Sequence, residues 1–452
     1  MLAIKDILVY AKGHLVSGNA TATISGISTD TRSLKKGDLF LALKGKNFNG
    51  HAFIHEAIRK GAGALLISEK LSSARVSIPV ISVKDTLMAY GDLARGYRER
   101  FSIPIVAITG SVGKTTTKEL AAKVLSARFR LLKNYQTENN EIGVAKTLFN
   151  LEVKHKLAVL EFGTNHFGEI KRLASIGKPT VAVLTNIGES HLEFLKNRQG
   201  VFKEKSDIFK KFISQDCIVY NRDDDFLRTI DRRVTPCKKV TFAIERKALY
   251  QAKDIVFNSK GLSFYVRRHK FSLKTLSREN IYNGLAAIAL GRVFGLPWAL
   301  IARSLSRASF PKGRQNICNV SGVCLIDDTY NANPTSVASA LMTLQRFSTK
   351  GRKFFIFGDM RELGVVSARA HKKVGQLAAK HSVDFLLAYG PWSKHTCAEA
   401  KKKRIVCFHC RTHNEIIREL KKNLHPGDVV LVKGSRGMHM EKVVYKIKAL
   451  HF

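Results

Sequence analysis

From about residue 103 onward, short unbroken apolar runs alternate with amphipathic stretches. "IPIVAIT" (103–109), "LAVLEFG" (157–163), "TVAVLTNIG" (180–188) and "CIVYN" (217–221) are short, apolar throughout and rich in β-branched residues, so they read as strands. "TKELAAKVLSARF" between the first two repeats its apolar residues at helical spacing. Strands apolar on both faces, separated by helices, predict a parallel sheet covered on both sides. "NIYNGLAAIALGRVFGL" (280–296) is a helix rich in Ala and Leu with a Gly stop.

A second alternating series begins near residue 320. Its strands are "VCLIDD", "KFFIFGD", "FLLAYG", "RIVCF" and "DVVLVKG", with helices around 335–347, 366–381 and 413–423. This predicts a separate, doubly wound, Rossmann-like domain. "FPKGRQ" (310–315) has the Pro and Gly of a hinge. The first 85 or so residues differ again, mixing the short strands "DLFLAL" and "ALLIS" with helix-like "FIHEAIRKGAG". The helical "DTLMAYGDLARGYRERF" then leads to Pro104. The expectation is an α/β chain of three domains: a small α/β domain over 1–85, a central parallel-sheet domain over 86–311 and a C-terminal doubly wound domain over 312–452.

Length agrees, since 452 residues exceed one ordinary core. Lys5, Asp6 and Lys12 break the N-terminal apolar run, arguing against a signal peptide. No stretch approaches the roughly 20 apolar residues of a spanning helix. A cytoplasmic protein without membrane insertion is expected. Seven cysteines follow no framework spacing and read as reduced, mostly buried thiols. The tight pair Cys407 and Cys410, in "CFHC", has no second ligand pair and reads as a strand end and a loop. The formal charge of +40 would suit nucleic acid, but the basic residues are scattered and the longest run is "KKKR" at 401–404. A solvated basic surface that favours anionic substrates accounts for it better, and no nucleic-acid partner is expected.

Chemistry enters at "TGSVGKTTTKEL" (109–120), between a buried strand and a helix. Backbone N–H groups and a helix N-terminus meet there, as an anion requires. Gly110, Ser111, Val112 and Gly113 form the loop, Lys114 reaches for outer phosphates, and Thr115 or Thr116 offers a hydroxyl to Mg²⁺. The glycine spacing is shorter than in G-x-x-x-x-G-K-[ST], whose first glycine would fall on Ile108. Glu161 and His191 end two further strands, where a nucleotide and its metal would lie.

The loop resembles that of the Mur ligases, T-G-[ST]-x-G-K-[ST]-[ST]. "NNEIGVA" (139–145), "LEFGTNHFGEI", "TNIGESHLEFL", "EKSDIF" and "NRDD" follow in that family's order. "DDTYNANPTS" (327–336), "FGDMRELG" (357–364) and "VLVKGSRGMHMEKVV" are similar to the branch that joins D-alanyl-D-alanine to UDP-N-acetylmuramoyl-tripeptide. The resemblance implies three domains, the central one a P-loop ATPase, and ATP-driven formation of an acyl phosphate that the dipeptide amine attacks. It implies ATP phosphates on Gly110 to Thr116, with Lys114 catalytic and Mg²⁺ held by Thr115, Glu161, His191 and a carbamylated Lys205. Asn280 and Asn283 would line the adenine pocket. Arg314, Asp328 and Asn331 would close on ribose and phosphates, and Lys433 would face the reacting centre. Thr29, Asp30, Thr31 and Arg32 would meet the uridine nucleotide, and a monomer is expected.

Asn49, Ala145 and Glu279 depart from the family's usual Asp, Pro and His, without touching a phosphate, metal or carbamate position. The ligase that adds the third residue carries D-[ND]-P-R, which is missing here. A nucleic-acid-binding NTPase would show an Asp at a strand end where "LEFG" has Glu161.

Overall fold

The computed structural model describes residues 2–45, 48–71, 76–232, 236–258 and 261–450. The chain divides into two compact units. One comprises Met1–Ala107, Arg130–Phe162 and Glu169–Thr180, and the other Ile108–Phe129, Gly163–Gly168 and Val181–Phe452.

In the first unit a five-stranded sheet runs in the order His14–Ser17, Val80–Ser82, Ala64–Ile67, Leu39–Leu41, Ile27–Ser28. The first pair is antiparallel and the others parallel. Phe40, Ala57, Leu65 and Val80 form its buried core. The helix Thr86–Glu99 starts where Asp85 accepts bonds from the Leu87 and Met88 amides. Near its end, buried Arg98 donates to the carbonyls of Gly177, Phe101 and Ile103. Leu131–Lys133 and Leu157–Glu161 pair in parallel, which sets Glu161 at a strand end.

In the second unit Val181–Leu184, Cys217–Asn221, Lys238–Ala243 and Tyr250–Asn258 pair in parallel. The antiparallel strands Gly261–Val266 and His269–Leu273 extend them. The helices Lys114–Leu125 and Glu279–Val293 pack together. The C-terminal region carries a six-stranded sheet in the order Asn316–Val320, Val323–Asp328, Val429–Lys433, Lys353–Gly358, Phe385–Tyr389, Val406–Cys410. Only the first pair is antiparallel. Alternation puts Phe355 and Phe357 in one apolar cluster and Phe354 and Ile356 in the other, so helices cover both faces. The order reverses around Val429–Lys433, as a doubly wound sheet requires.

One expectation is corrected. Cys397 and Cys407 form a disulfide, with Cα atoms 5.7 Å apart; Cys217, Cys237 and Cys410 are buried free thiols, while Cys318 and Cys324 are partly exposed. The helix Ser393–Lys402 packs on the strand Val406–Cys410, bringing together two residues whose spacing carries no signal. Cys407 and Cys410 belong to the apolar clusters of opposite sheet faces, so "CFHC" presents no joint site. No helix among the described residues is long and apolar enough to cross a membrane.

Candidate active site

The strand Ile105–Thr109 is wholly buried, and the chain leaves it through Gly110 at φ 152 and Gly113 at φ 88. Both glycines answer to close neighbours. A Cβ on Gly110 would lie 1.9 Å from Thr185 Oγ1, and one on Gly113 would lie 2.5 Å from Asn283 Oδ1. No other residue fits either place without displacing its neighbour.

The loop is clamped by the segment that follows the strand Val181–Leu184, its neighbour in the sheet. Ser111 N donates to the Asn186 carbonyl at 3.0 Å, and Val112 N donates to Asn186 Oδ1 at 2.9 Å. Thr185 Oγ1 and Asn186 Nδ2 both donate to the Val112 carbonyl, at 2.6 and 3.0 Å. Gly188 N and Ser190 Oγ donate to Ser111 Oγ at 2.9 and 3.0 Å. Lys114 begins the helix Lys114–Leu125 and donates to the Gly110 carbonyl at 2.8 Å. Thr185, Asn186 and Ser190 escaped the sequence reading. Their signal is the polar run "TNIGESH" (185–191) directly after an apolar strand, from which the sequence singles out only His191.

Asn283 accepts from Thr117 Oγ1 at 3.0 Å and donates to Asn280 Oδ1 at 2.8 Å, and Asn280 donates to Thr275 Oγ1. Both asparagines are therefore built into the packing against the loop's helix. Arg314 brings two expected groups together. Its Nη2 donates to Thr115 Oγ1 at 2.9 Å while its guanidinium lies 4.1 Å from the Tyr330 ring centre. Beyond Tyr330, Lys433 Nζ donates to Asp328 Oδ2 at 2.7 Å and to the Asn331 carbonyl at 2.9 Å. Lys433 is 1% exposed, a buried counter-ion that holds "DDTYNANP" through these two bonds. Burial lifts the Asp328 carboxyl above its ordinary value, and Lys433 opposes that.

His191, at φ 52, meets Glu362 of "GDMRELG", with Nδ1 2.6 Å from Oε2. That bond holds the Glu362 carboxyl below its ordinary value against the opposing effect of burial. Glu362 is a further residue that the sequence does not single out, because nothing in the motif says which strand end it meets. Lys205 lies in the helix Arg198–Ser206 and is 1% exposed, unlike a solvated helix lysine. Beside it in sequence, buried Glu204 accepts from Gly168 N at 2.7 Å and Thr164 Oγ1 at 3.2 Å.

In the first unit Glu161 is 1% exposed. Its Oε1 accepts from Asn139 Nδ2 at 2.7 Å, its backbone N–H donates to Asn134 Oδ1, and its Oε2 has no hydrogen-bond partner. A buried carboxylate oxygen left unsatisfied suits a hard cation. Among the described residues no three His, Cys, Asp or Glu side chains converge into a ready-made metal centre. Mg²⁺ at nucleotide sites takes few protein ligands, the remainder being phosphate oxygens and water, so isolated donors of this kind are the expected form. In the turn after Ile27–Ser28, Asp30 makes a bidentate pair with exposed Arg32, which holds its carboxyl down at about 2. Lys60 Nζ donates to the Thr31 carbonyl.

A cavity of about 680 Å³ sits at the carboxyl ends of the C-terminal parallel strands, lined by Arg361, Glu362, Trp392, His409 and Arg411 among others.

Comparison with known proteins agrees with this geometry. Family models match as the Mur ligase family catalytic domain over 23–98, the Mur ligase middle domain over 108–291 and the Mur ligase glutamate ligase domain over 313–436. The UDP-N-acetylmuramoyl-tripeptide--D-alanyl-D-alanine ligase of Bacillus subtilis (strain 168) is 32% identical, covering 98% of this chain and 97% of its own length. The chain belongs to the Mur ligase family. The ligase of the same name from Escherichia coli (strain K12) is 35% identical over 94% of each chain. Among solved structures, MurF from Acinetobacter baumannii superposes on this Mur ligase with a TM-score of 0.91, at 29% identity over 99% of each chain. MurF from Thermotoga maritima, in complex with ADP, gives a TM-score of 0.83 at 28% identity, covering 94% of this chain and 97% of that one. The α/β class and the three-domain Mur ligase architecture expected from the sequence hold.

Proposed function

We propose that this Mur ligase is an ADP-forming, ATP-dependent amide ligase that joins D-alanyl-D-alanine to UDP-N-acetylmuramoyl-tripeptide, the last cytoplasmic step of peptidoglycan precursor synthesis. The observation that carries the proposal is the near full-length match to relatives bearing that activity in their names, over a clamped phosphate loop. A monomer and the division 1–85, 86–311 and 312–452 belong to the same proposal.

A carboxylate is a poor acyl donor until one of its oxygens becomes a leaving group. Transfer of the ATP γ-phosphoryl group to the tripeptide's terminal carboxylate makes an acyl phosphate and ADP. The dipeptide's neutral amine attacks that carbonyl, and the tetrahedral intermediate expels phosphate as the amine loses its proton. Gly110 to Thr116 present backbone N–H groups to the phosphates, and Lys114 exchanges the Gly110 carbonyl for a phosphoryl oxygen. Arg314 brings a second cation to the same end of the loop. Asn280 and Asn283 floor the adenine side, and the Asp328–Lys433 pair holds Asn331 and its loop in place to close on the ribose. The mixed charges of the C-terminal cavity suit a zwitterionic dipeptide. Thr29 to Arg32 offer hydroxyls and a guanidinium to the uridine diphosphate.

Glu161, His191, Thr115 and Lys205 would hold Mg²⁺, Lys205 as a carbamate whose oxygens replace an ammonium. Bound there, Mg²⁺ supplies charge neutralisation between the two anions brought together. The test is to incubate the protein with ATP, Mg²⁺, D-Ala-D-Ala and UDP-muramoyl tripeptides ending in meso-diaminopimelate or lysine. Phosphate release and pentapeptide mass should appear together and only with D-Ala-D-Ala. Phosphate release independent of the dipeptide overturns the proposal.

A further inference from the structure

His191 and Glu362 stand 171 residues apart in the chain, yet their side chains meet at 2.6 Å. We propose that Glu362 is a positioning residue: it fixes the His191 imidazole with its proton on Nδ1 and so turns the Nε2 lone pair toward a divalent cation. This rests on the reading of His191 as a cation ligand and goes one residue beyond it.

An ionised carboxylate only accepts hydrogen bonds, so the ring nitrogen facing it must carry hydrogen. In a neutral imidazole the other nitrogen is then bare, and bare nitrogen is what a cation needs. Histidines that ligate metals are commonly oriented through their second nitrogen by a carboxylate.

The backbone on both sides supports the pairing. His191 and Glu362 lie at φ 52 and φ 61, the left-handed region that residues other than glycine rarely adopt. The two turns are pressed together: a Cβ on Gly364 would lie 3.4 Å from Glu193 Cα, and Glu193 N approaches the Glu362 carbonyl at 3.4 Å. The Glu362 side chain is 45% exposed, and a half-exposed polar pair adds little to stability, so stability is a poor reason to keep two strained residues facing each other. A site whose geometry must be held is a better one. "GDMRELG" also lines the C-terminal cavity, so the residue that orients His191 belongs to that cavity's wall.

Mn²⁺ with ADP serves as the probe, bound to the full-length chain and read by electron paramagnetic resonance of free Mn²⁺. Glu362→Ala should weaken Mn²⁺ binding by about 10- to 100-fold with an unchanged thermal midpoint, and Glu362→Asp should recover part of the loss. Unchanged Mn²⁺ affinity in Glu362→Ala, with affinity lost in His191→Ala, overturns the positioning role and spares the ligand reading. Unchanged affinity in His191→Ala sinks both. If Glu362→Ala does not fold, the wild-type protein decides: long-range ¹H–¹⁵N spectra, assigned through His191→Ala, should show the proton on Nδ1. A proton on Nε2 alone overturns the inference.

Discussion

The loop Gly110–Thr116 and the turn Thr29–Arg32 are both short polar segments that follow a strand, and they are held in opposite ways. The loop takes its shape from far along the chain, from Thr185, Asn186, Gly188 and Ser190 and from the Asn283 side chain. The turn is closed mainly by its own residues, through Ser28, Asp30 and Arg32, with one bond from Lys60. A segment held from outside is rigid before any ligand arrives, which suits stabilisation of a developing charge. The self-closed turn leaves the Asp30 and Arg32 side chains open to water while it buries Thr31.

Four substitutions test that contrast. Lys114→Ala should have the largest effect: turnover falls by about 10³-fold or more, with circular dichroism and thermal midpoint little changed. Near-normal turnover would mean the loop does not handle phosphate. Lys433→Ala comes next, since it strands Asp328 as a buried unpaired charge. It should cost about 3–5 kcal/mol in urea unfolding, and a cost under about 1 kcal/mol would show that Asp328 takes up a proton at little expense.

Gly113→Ala should cost about 1–3 kcal/mol, because φ 88 is unfavourable and the new methyl meets Asn283. In an Asn283→Ala background the steric part should vanish and the backbone part remain. An equal cost in both backgrounds would remove Asn283 from the account. The smallest effect belongs to Asp30→Asn, which should leave the neutral-pH thermal midpoint nearly unchanged. Arg32 depresses the Asp30 carboxyl from 3.8 to about 2, so its contribution is present above the ordinary value and lost as pH falls toward 2. The small gap between wild type and Asp30→Asn should close over that range. A gap that widens on acidification would contradict the pairing.

The strands and helices of the second and third expected domains were legible because period and length announce them. "KFFIFGD" is a strand over Lys353–Gly358, and "NIYNGLAAIALGRVFGL" is a helix over Glu279–Val293. The helices Ser393–Lys402 and Glu441–Lys448 were missed, as were the antiparallel strand Asn316–Val320 and the hairpin of Gly261–Val266 and His269–Leu273. These elements are short, five to ten residues each, so their periodicity is a weak signal and tertiary packing settles them.

By itself the amino-acid sequence determined the family, the phosphate loop, and Glu161, His191 and Lys205 as residues to watch. The loop, Glu161 and His191 follow from residue type and from position relative to strand ends, which are local properties; the family and Lys205 follow from motifs that resemble those of the Mur ligases. Only the tertiary structure decided that Lys433 meets Asp328, that Arg314 reaches Thr115, that Cys397 pairs with Cys407, and that His191 meets Glu362. Each of those is a contact at a few ångströms between distant or unpatterned positions. Spacing along a chain holds no record of such distances until the sheets and helices have packed.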